Sequence, residues 1–189
     1  MRKLKLQVQM TVDGFIAGSS GEMDFWTWNW DDELNAYAQS LTDPVDCIVL
    51  GRKLAEGFIP HWAGVAADPE HPEHLAGKKF SDTHKVVFTQ TLGKTEWENT
   101  VLATGDLTEE INHLKKQAGG DIIAYGGAKF VSALIEHRLI DDFHLFINPT
   151  AIGSGMPIFK GLVSKQDFTL RKATPFDCGI VVLHYEPKW

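Results

Sequence analysis

Two short stretches combine cations with small residues in a pattern suited to anions. Gly51-Arg52-Lys53 follows the apolar run Val45 to Leu50, and Gly126-Gly127-Ala128-Lys129 follows the run Asp121 to Tyr125. Where a strand passes through glycine into a helix, free backbone N–H groups and the positive end of the helix dipole face whatever lies beyond the strand. Both junctions therefore read as phosphate seats, the first with two cations beside it and the second with a floor small enough to admit a pyrophosphate. The plain alternative is a turn that needs glycine. The fingerprint G-x-G-x-x-G is absent, so a standard Rossmann domain is not supported.

Three carboxylates, Asp31, Asp32 and Glu33, stand directly before a helical stripe of Leu34, Tyr37, Ala38 and Leu41. A carboxylate beside such a stripe can organise protonation of a bound nitrogen. Asp32 points to the opposite side, whereas Glu33 lies at the edge of the stripe one turn before Tyr37, so Glu33 is the candidate acid. The same residues also form an acidic first turn that complements the helix dipole. Trp26, Trp28 and Trp30 fall on one side of an extended segment, where they either stack on a flat heterocycle or pack a lid. His61, His71 and His74 lack zinc-type spacing and read as part of a solvated loop, so no metal is expected. Cys47 and Cys178 read as two inert thiols.

These groups need elements to position them. Residues 3–11 alternate polar and apolar as a strand does, and Asn29 is the expected cap of a helix running to Leu41. Strand 45–50 feeds a short helix that Gly57 and Pro60 are expected to end, and residues 60–76 read as a long functional loop. Strands are expected at 85–89, 100–104, 121–125 and 142–148. Between them, Asp106-Leu-Thr-Glu109 has capping-box spacing for a helix, and Phe130, Val131, Leu134 and Ile135 share the face of another. Residues 168–174 and 180–185 form an antiparallel closing pair. This order predicts an α/β fold, a three-layer α/β/α sandwich around a mixed, mostly parallel sheet with antiparallel C-terminal strands.

The 189 residues, 43% hydrophobic and 23% charged, suit a single domain spanning 1–189. A net charge of -7 opposes a nucleic-acid partner. The N-terminal residues lack an unbroken apolar core of a signal peptide and no stretch reaches membrane-helix length, so a cytoplasmic protein without membrane attachment is expected.

Six motifs then fall in order: Thr11-Val-Asp-Gly-Phe-Ile-Ala17, Val49-Leu-Gly-Arg-Lys53, Lys85-Val-Val-Phe-Thr89 with Trp97-Glu-Asn99, Ile123-Ala-Tyr-Gly-Gly-Ala128, Leu139-Ile-Asp-Asp142 and Pro149-Thr-Ala-Ile-Gly-Ser-Gly155. Over nearly the whole chain the set resembles the reductase domain of the bacterial bifunctional riboflavin deaminase-reductase, within the dihydrofolate reductase-like superfamily. The resemblance implies an NADPH-dependent oxidoreductase acting on a small molecule. Gly51, Arg52 and Lys53 would hold the 2′-phosphate side of NADPH with help from Thr89, Gln90 and Thr91. Gly126, Gly127 and Ala128, with Lys129 beside them, would face the pyrophosphate. Asp13, the second candidate catalytic residue, would begin the mobile loop over the nicotinamide, and Trp28 and Tyr37 would line the substrate. Leu54 departs from relatives that place a threonine there.

For the substrate, the resemblance implies a phosphoribosylamino-uracil of riboflavin biosynthesis, with dihydrofolate or another pterin as the alternative. From Leu54 to Gly77 there is no Lys or Arg to meet a substrate phosphate, and Asp68-Pro69 leads into Glu-His-Pro-Glu-His in place of the Leu-Thr-x-Arg common in riboflavin-making relatives. A non-catalytic NADPH-binding sensor is the reading from another class. Family habit and the apolar C-terminal strands imply a homodimer.

Overall fold

The alternation at the start of the chain becomes β1 (Leu4–Thr11), which lies inside an eight-stranded sheet. The computed structural model describes residues 1–27 and 29–188. After β1 come β2 (Phe15–Ala17), α1 (Asp32–Thr42), β3 (Val45–Gly51), α2 (Arg52–Ala67), α3 (His74–Asp82), β4 (His84–Phe88) and β5 (Thr100–Ala103). The remainder is α4 (Leu107–Lys116), β6 (Asp121–Ala124), α5 (Ala128–Glu136), β7 (Asp142–Asn148), β8 (Met156–Pro157), β9 (Phe168–Pro175) and β10 (Val181–Pro187). Across the sheet the order is β5-β4-β3-β6-β1-β7-β10-β9. The first six are parallel, β10 runs antiparallel to β7, and β9 closes the edge antiparallel to β10.

On one face, Leu4, Leu6, Val8 and Met10 meet Ile111 and Leu114 of α4 and Val131 and Leu134 of α5 in the largest apolar cluster. The other face is divided. Ile48, Leu50, Val87 and Ile123 pack under α2, while Phe146 and Val182 pack under Leu34 and Leu41 of α1. Helices thus cover both faces, as expected.

Local chemistry accounts for the ends. Asp106 accepts N–H bonds from Thr108 and Glu109 and starts α4, as the capping box predicts. The cap of α1 differs from expectation: it is Asp31, not Asn29, with its carboxylate accepting from Leu34 N–H at 2.8 Å. Buried Lys85 ends α3 by donating to the carbonyls of Phe80, Ser81 and Thr83 at 3.0, 2.8 and 2.7 Å.

The larger departure lies at 60–76, most of which is helical: α2 continues through Gly57 and Pro60 to Ala67, and after a turn over 68–73 α3 folds back on it. An internal proline costs a helix about 3 kcal/mol. Buried Ile59 and Val65, with Phe58 and Trp62 packed on Phe80, offset this, since each buried large apolar side chain contributes about 1.5–3 kcal/mol. Gly77 lets the helices approach, because a β-carbon there would lie 2.7 Å from the Ala66 nitrogen. The small β2–β8 pair was not foreseen either.

Candidate active site

The two glycine junctions come together at the carboxyl edge of the parallel strands. Gly51 caps α2 and Gly127 caps α5, and a β-carbon on Gly127 would sit 3.8 Å from that of Leu54 in the first turn of α2. Two helix N-termini therefore open side by side with unsatisfied backbone donors. Gly126 and Gly127 have φ of +74° and +81°, a left-handed pair that side chains oppose and that turns the chain abruptly into α5. Gly51 is small for another reason: its β-carbon would come within 2.9 Å of Phe130, so the glycine lets α5 close against β3.

The cations and hydroxyls differ in availability. Lys53 and Lys129 are exposed and form no ion pair among the described residues, whereas Arg52 is paired with Glu56 at 2.5 Å. Thr89 is buried and its hydroxyl is already engaged, accepting from Thr91 and Leu92 N–H at 3.1 and 3.0 Å. It shapes the turn that presents exposed Gln90 and Thr91.

A second feature adjoins this edge. Parallel strands inside a sheet are usually apolar on both faces. β1 is apolar on one face only; the other carries Lys5, Gln7, Gln9 and Thr11. This polar stripe runs between the cluster under α2 and the cluster under α1. Three of its members have partners: Lys5 pairs with Asp121 at 2.8 Å, Gln9 accepts from Asn148 at 3.1 Å, and the Thr11 hydroxyl accepts from Phe15 N–H at 2.9 Å. The Oε1 of Gln7 is buried without a hydrogen-bond partner among the described residues.

One register position across, on β7, His144 lies beside Gln7, and its Nδ1 is 2.9 Å from the Tyr37 hydroxyl. Behind it the His184 ring stacks at 4.3 Å, and His184 Nε2 meets Asp142, which also pairs with Lys3 at 2.9 Å. Burial and the neighbouring His184 push His144 down to about 4, so its ring is neutral. Burial, aided by the charge of Asp142, pushes Tyr37 up to about 12 and keeps its proton in place. Burial alone would raise Asp142, but hydrogen bonds from His184 and Lys3 hold it below the usual carboxylate range. Asp142, His184 and Glu186 also bring ligand-type atoms within 4.8 Å of one another, but Lys3 and Arg171 already pair with these acids.

The remaining candidates separate by geometry. Glu33 is exposed in the first turn of α1, and its carboxylate has no partner among the described residues. Asp31 is committed: besides capping α1 it accepts from Cys178 N–H at 2.9 Å. Asp13 accepts from Ile152 and Gly153 N–H at 3.1 and 2.7 Å, which ties the loop after β1 to the loop after β7. Hydrogen bonds, led by that of Thr11, hold Asp13 below its ordinary pKa, and those from Ile152 and Gly153 give it a clamping role between the two loops. Buried Asn148 fastens the aromatic segment, accepting from Thr27 N–H at 2.8 Å. Trp30 stacks on Phe146 at 5.6 Å, and so packs the wall beneath α1; Trp28 lies outside the described residues. His61 lies on α2 and His74 begins α3, so these histidines belong to the helical hairpin. Gln7, Gln9, His144 and Asn148 were not foreseen, although the polar face of β1 was visible in the alternation.

A parallel sheet with β6 inserted between β1 and β3 and paired helix N-termini at its carboxyl edge define a dihydrofolate reductase-like fold. The chain belongs to the RibD C-terminal domain family, whose profile matches residues 2–182. It is 32% identical over 188 residues to the protein YyaP of Bacillus subtilis (strain 168), covering 97% of this chain and 94% of that one. The crystal structure of a diaminohydroxyphosphoribosylaminopyrimidine deaminase/5-amino-6-(5-phosphoribosylamino)uracil reductase from Thermotoga maritima matches with a TM-score of 0.70 and 18% identity, over 99% of this chain and 57% of that one. Dihydrofolate reductase from Enterococcus faecalis, complexed with NADP(H), matches with a TM-score of 0.62 and 16% identity, over 99% and 97% of the two chains. At these identities the two structures establish the shared fold. Among the described residues no helix is long and apolar enough to cross a membrane.

Proposed function

We propose that this protein is an NADPH-dependent reductase of a small heterocyclic substrate, resembling the uracil-type reductase of riboflavin biosynthesis. The meeting of the α2 and α5 N-termini at the carboxyl edge carries the reading, since it presents two sets of backbone donors to one elongated anion. The donor set fits a phosphorylated dinucleotide: Gly126, Gly127 and Ala128 take the pyrophosphate, with Lys129 beside them, and Arg52 and Lys53 take the 2′-phosphate. NADPH, when bound, supplies the hydride. The chain holds it at the α2 and α5 N-termini, Glu33 organises the proton for a substrate nitrogen, and Tyr37 with Trp28 borders the ring.

Oxidation of NADPH, followed by absorbance against ribosylaminopyrimidines, dihydrofolate and dihydropterins, tests the proposal. The 54–77 stretch without Lys or Arg forms most of α2, so a substrate phosphate meets no cation on that wall. Binding of NADPH without oxidation by any compound would support a non-catalytic sensor instead. Arg52→Ala with Lys53→Ala is expected to weaken NADPH far more than NADH, because each charge-assisted phosphate contact contributes about 1.5–3 kcal/mol. Equal losses would put the 2′-phosphate elsewhere.

A further inference from the structure

We propose that Gln7 selects the substrate by its cyclic amide edge, pairing its carboxamide with adjacent ring N–H and C=O groups. The proposal deepens the reductase reading, on which it rests for the identity of the site. Gln7 lies on the polar face of β1, between the clusters that α2 and α1 cover, and its Oε1 is buried without a hydrogen bond among the described residues. Its neighbours on the same stripe, Lys5, Gln9 and Thr11, are all engaged within the protein. A buried acceptor left unmade is costly, and such groups are rare in folded proteins unless something answers them.

A carboxamide is a donor and an acceptor side by side. Its complement is a group with the same two functions in reverse order, as when glutamine reads the edge of a nucleobase through two parallel hydrogen bonds. A six-membered ring amide offers that edge and is flat enough to lie between the walls of α1 and α2. The rung supports the orientation: on the β7 side His144 is neutral and already joined to Tyr37, and so brings no charge to the side of Gln7.

Affinity for two probes, measured by calorimetry with NADP⁺ present and absent, tests this: 5,6-diaminouracil and its 1,3-dimethyl analogue, which has no ring N–H. Wild type is expected to bind the first at least tenfold more tightly. Gln7→Met keeps length and removes both polar atoms; it is expected to bring that ratio close to one and to leave NADPH affinity unchanged. Because the variant deletes an unpaired buried acceptor, its thermal midpoint should be no lower than wild type, which separates lost recognition from lost folding. No preference in wild type, no binding of either probe, or a tenfold preference that survives in Gln7→Met would overturn the proposal. If the preference vanishes in the variant while wild type binds no NADPH, the assignment to Gln7 stands and the reductase reading fails.

Discussion

His144 is the titratable side chain whose surroundings alter it most usefully. Its imidazole faces Tyr37 from α1, His184 from β10, and Asp142, Lys5 and Lys3 at the same end of the sheet. Burial lowers its pKa from 6.5 to about 4, so the folded chain takes up this proton only near pH 4, while the unfolded chain takes it up near 6.5. As pH falls between these values the unfolded state gains a proton that the folded state refuses, and stability declines by about 3 kcal/mol in all, then levels off. Denaturant midpoints between pH 7 and pH 4 check this, and His144→Gln, which cannot titrate, should flatten the decline. A wild-type midpoint that holds constant over this range would show that the ring is not buried as described.

At the scale of elements, α1 separates two carboxylates that sequence spacing leaves adjacent. Asp31 caps the helix and holds the Cys178 backbone, so Asp31→Ala is expected to lower the thermal midpoint and Asp31→Asn, which keeps a capping oxygen, to lower it less, both leaving turnover of the folded chain intact. Glu33→Gln should do the reverse, reducing turnover about 10²–10⁴-fold with NADPH affinity and thermal midpoint unchanged. A dead Asp31→Asn beside a normal Glu33→Gln, measured against the substrate found in the oxidation panel, would transfer the acid role. Spacing identified β1, β7 and α4 because their periodicity and caps are local. It failed at α2 and α3, where Gly57, Pro60 and Pro72 punctuate the chain but long-range packing of Phe58, Trp62 and Phe80 decides the outcome.

Across the whole molecule the same division governs the site. The glycine junctions are contiguous in sequence and could be recognised, but the rung of Gln7 and His144 exists only once β1 and β7 have paired. At the far edge β9 has no neighbouring strand on its outer side among the described residues, and its Leu170 is 51% exposed. An uncovered edge of this kind invites pairing with a second copy. Sedimentation at micromolar concentration is expected to show a species about twice 21.1 kDa, and a stable monomer would refute it. The one-sided polarity of β1 bears on heritable change as well. The largest apolar cluster is on the face of β1 opposite Gln7, so the chain's ability to fold is vested mainly away from that side chain. On the proposed reading, a new side chain at Gln7 alters which molecule is held without disturbing that cluster, which leaves one scaffold free to diversify its chemistry at a single residue.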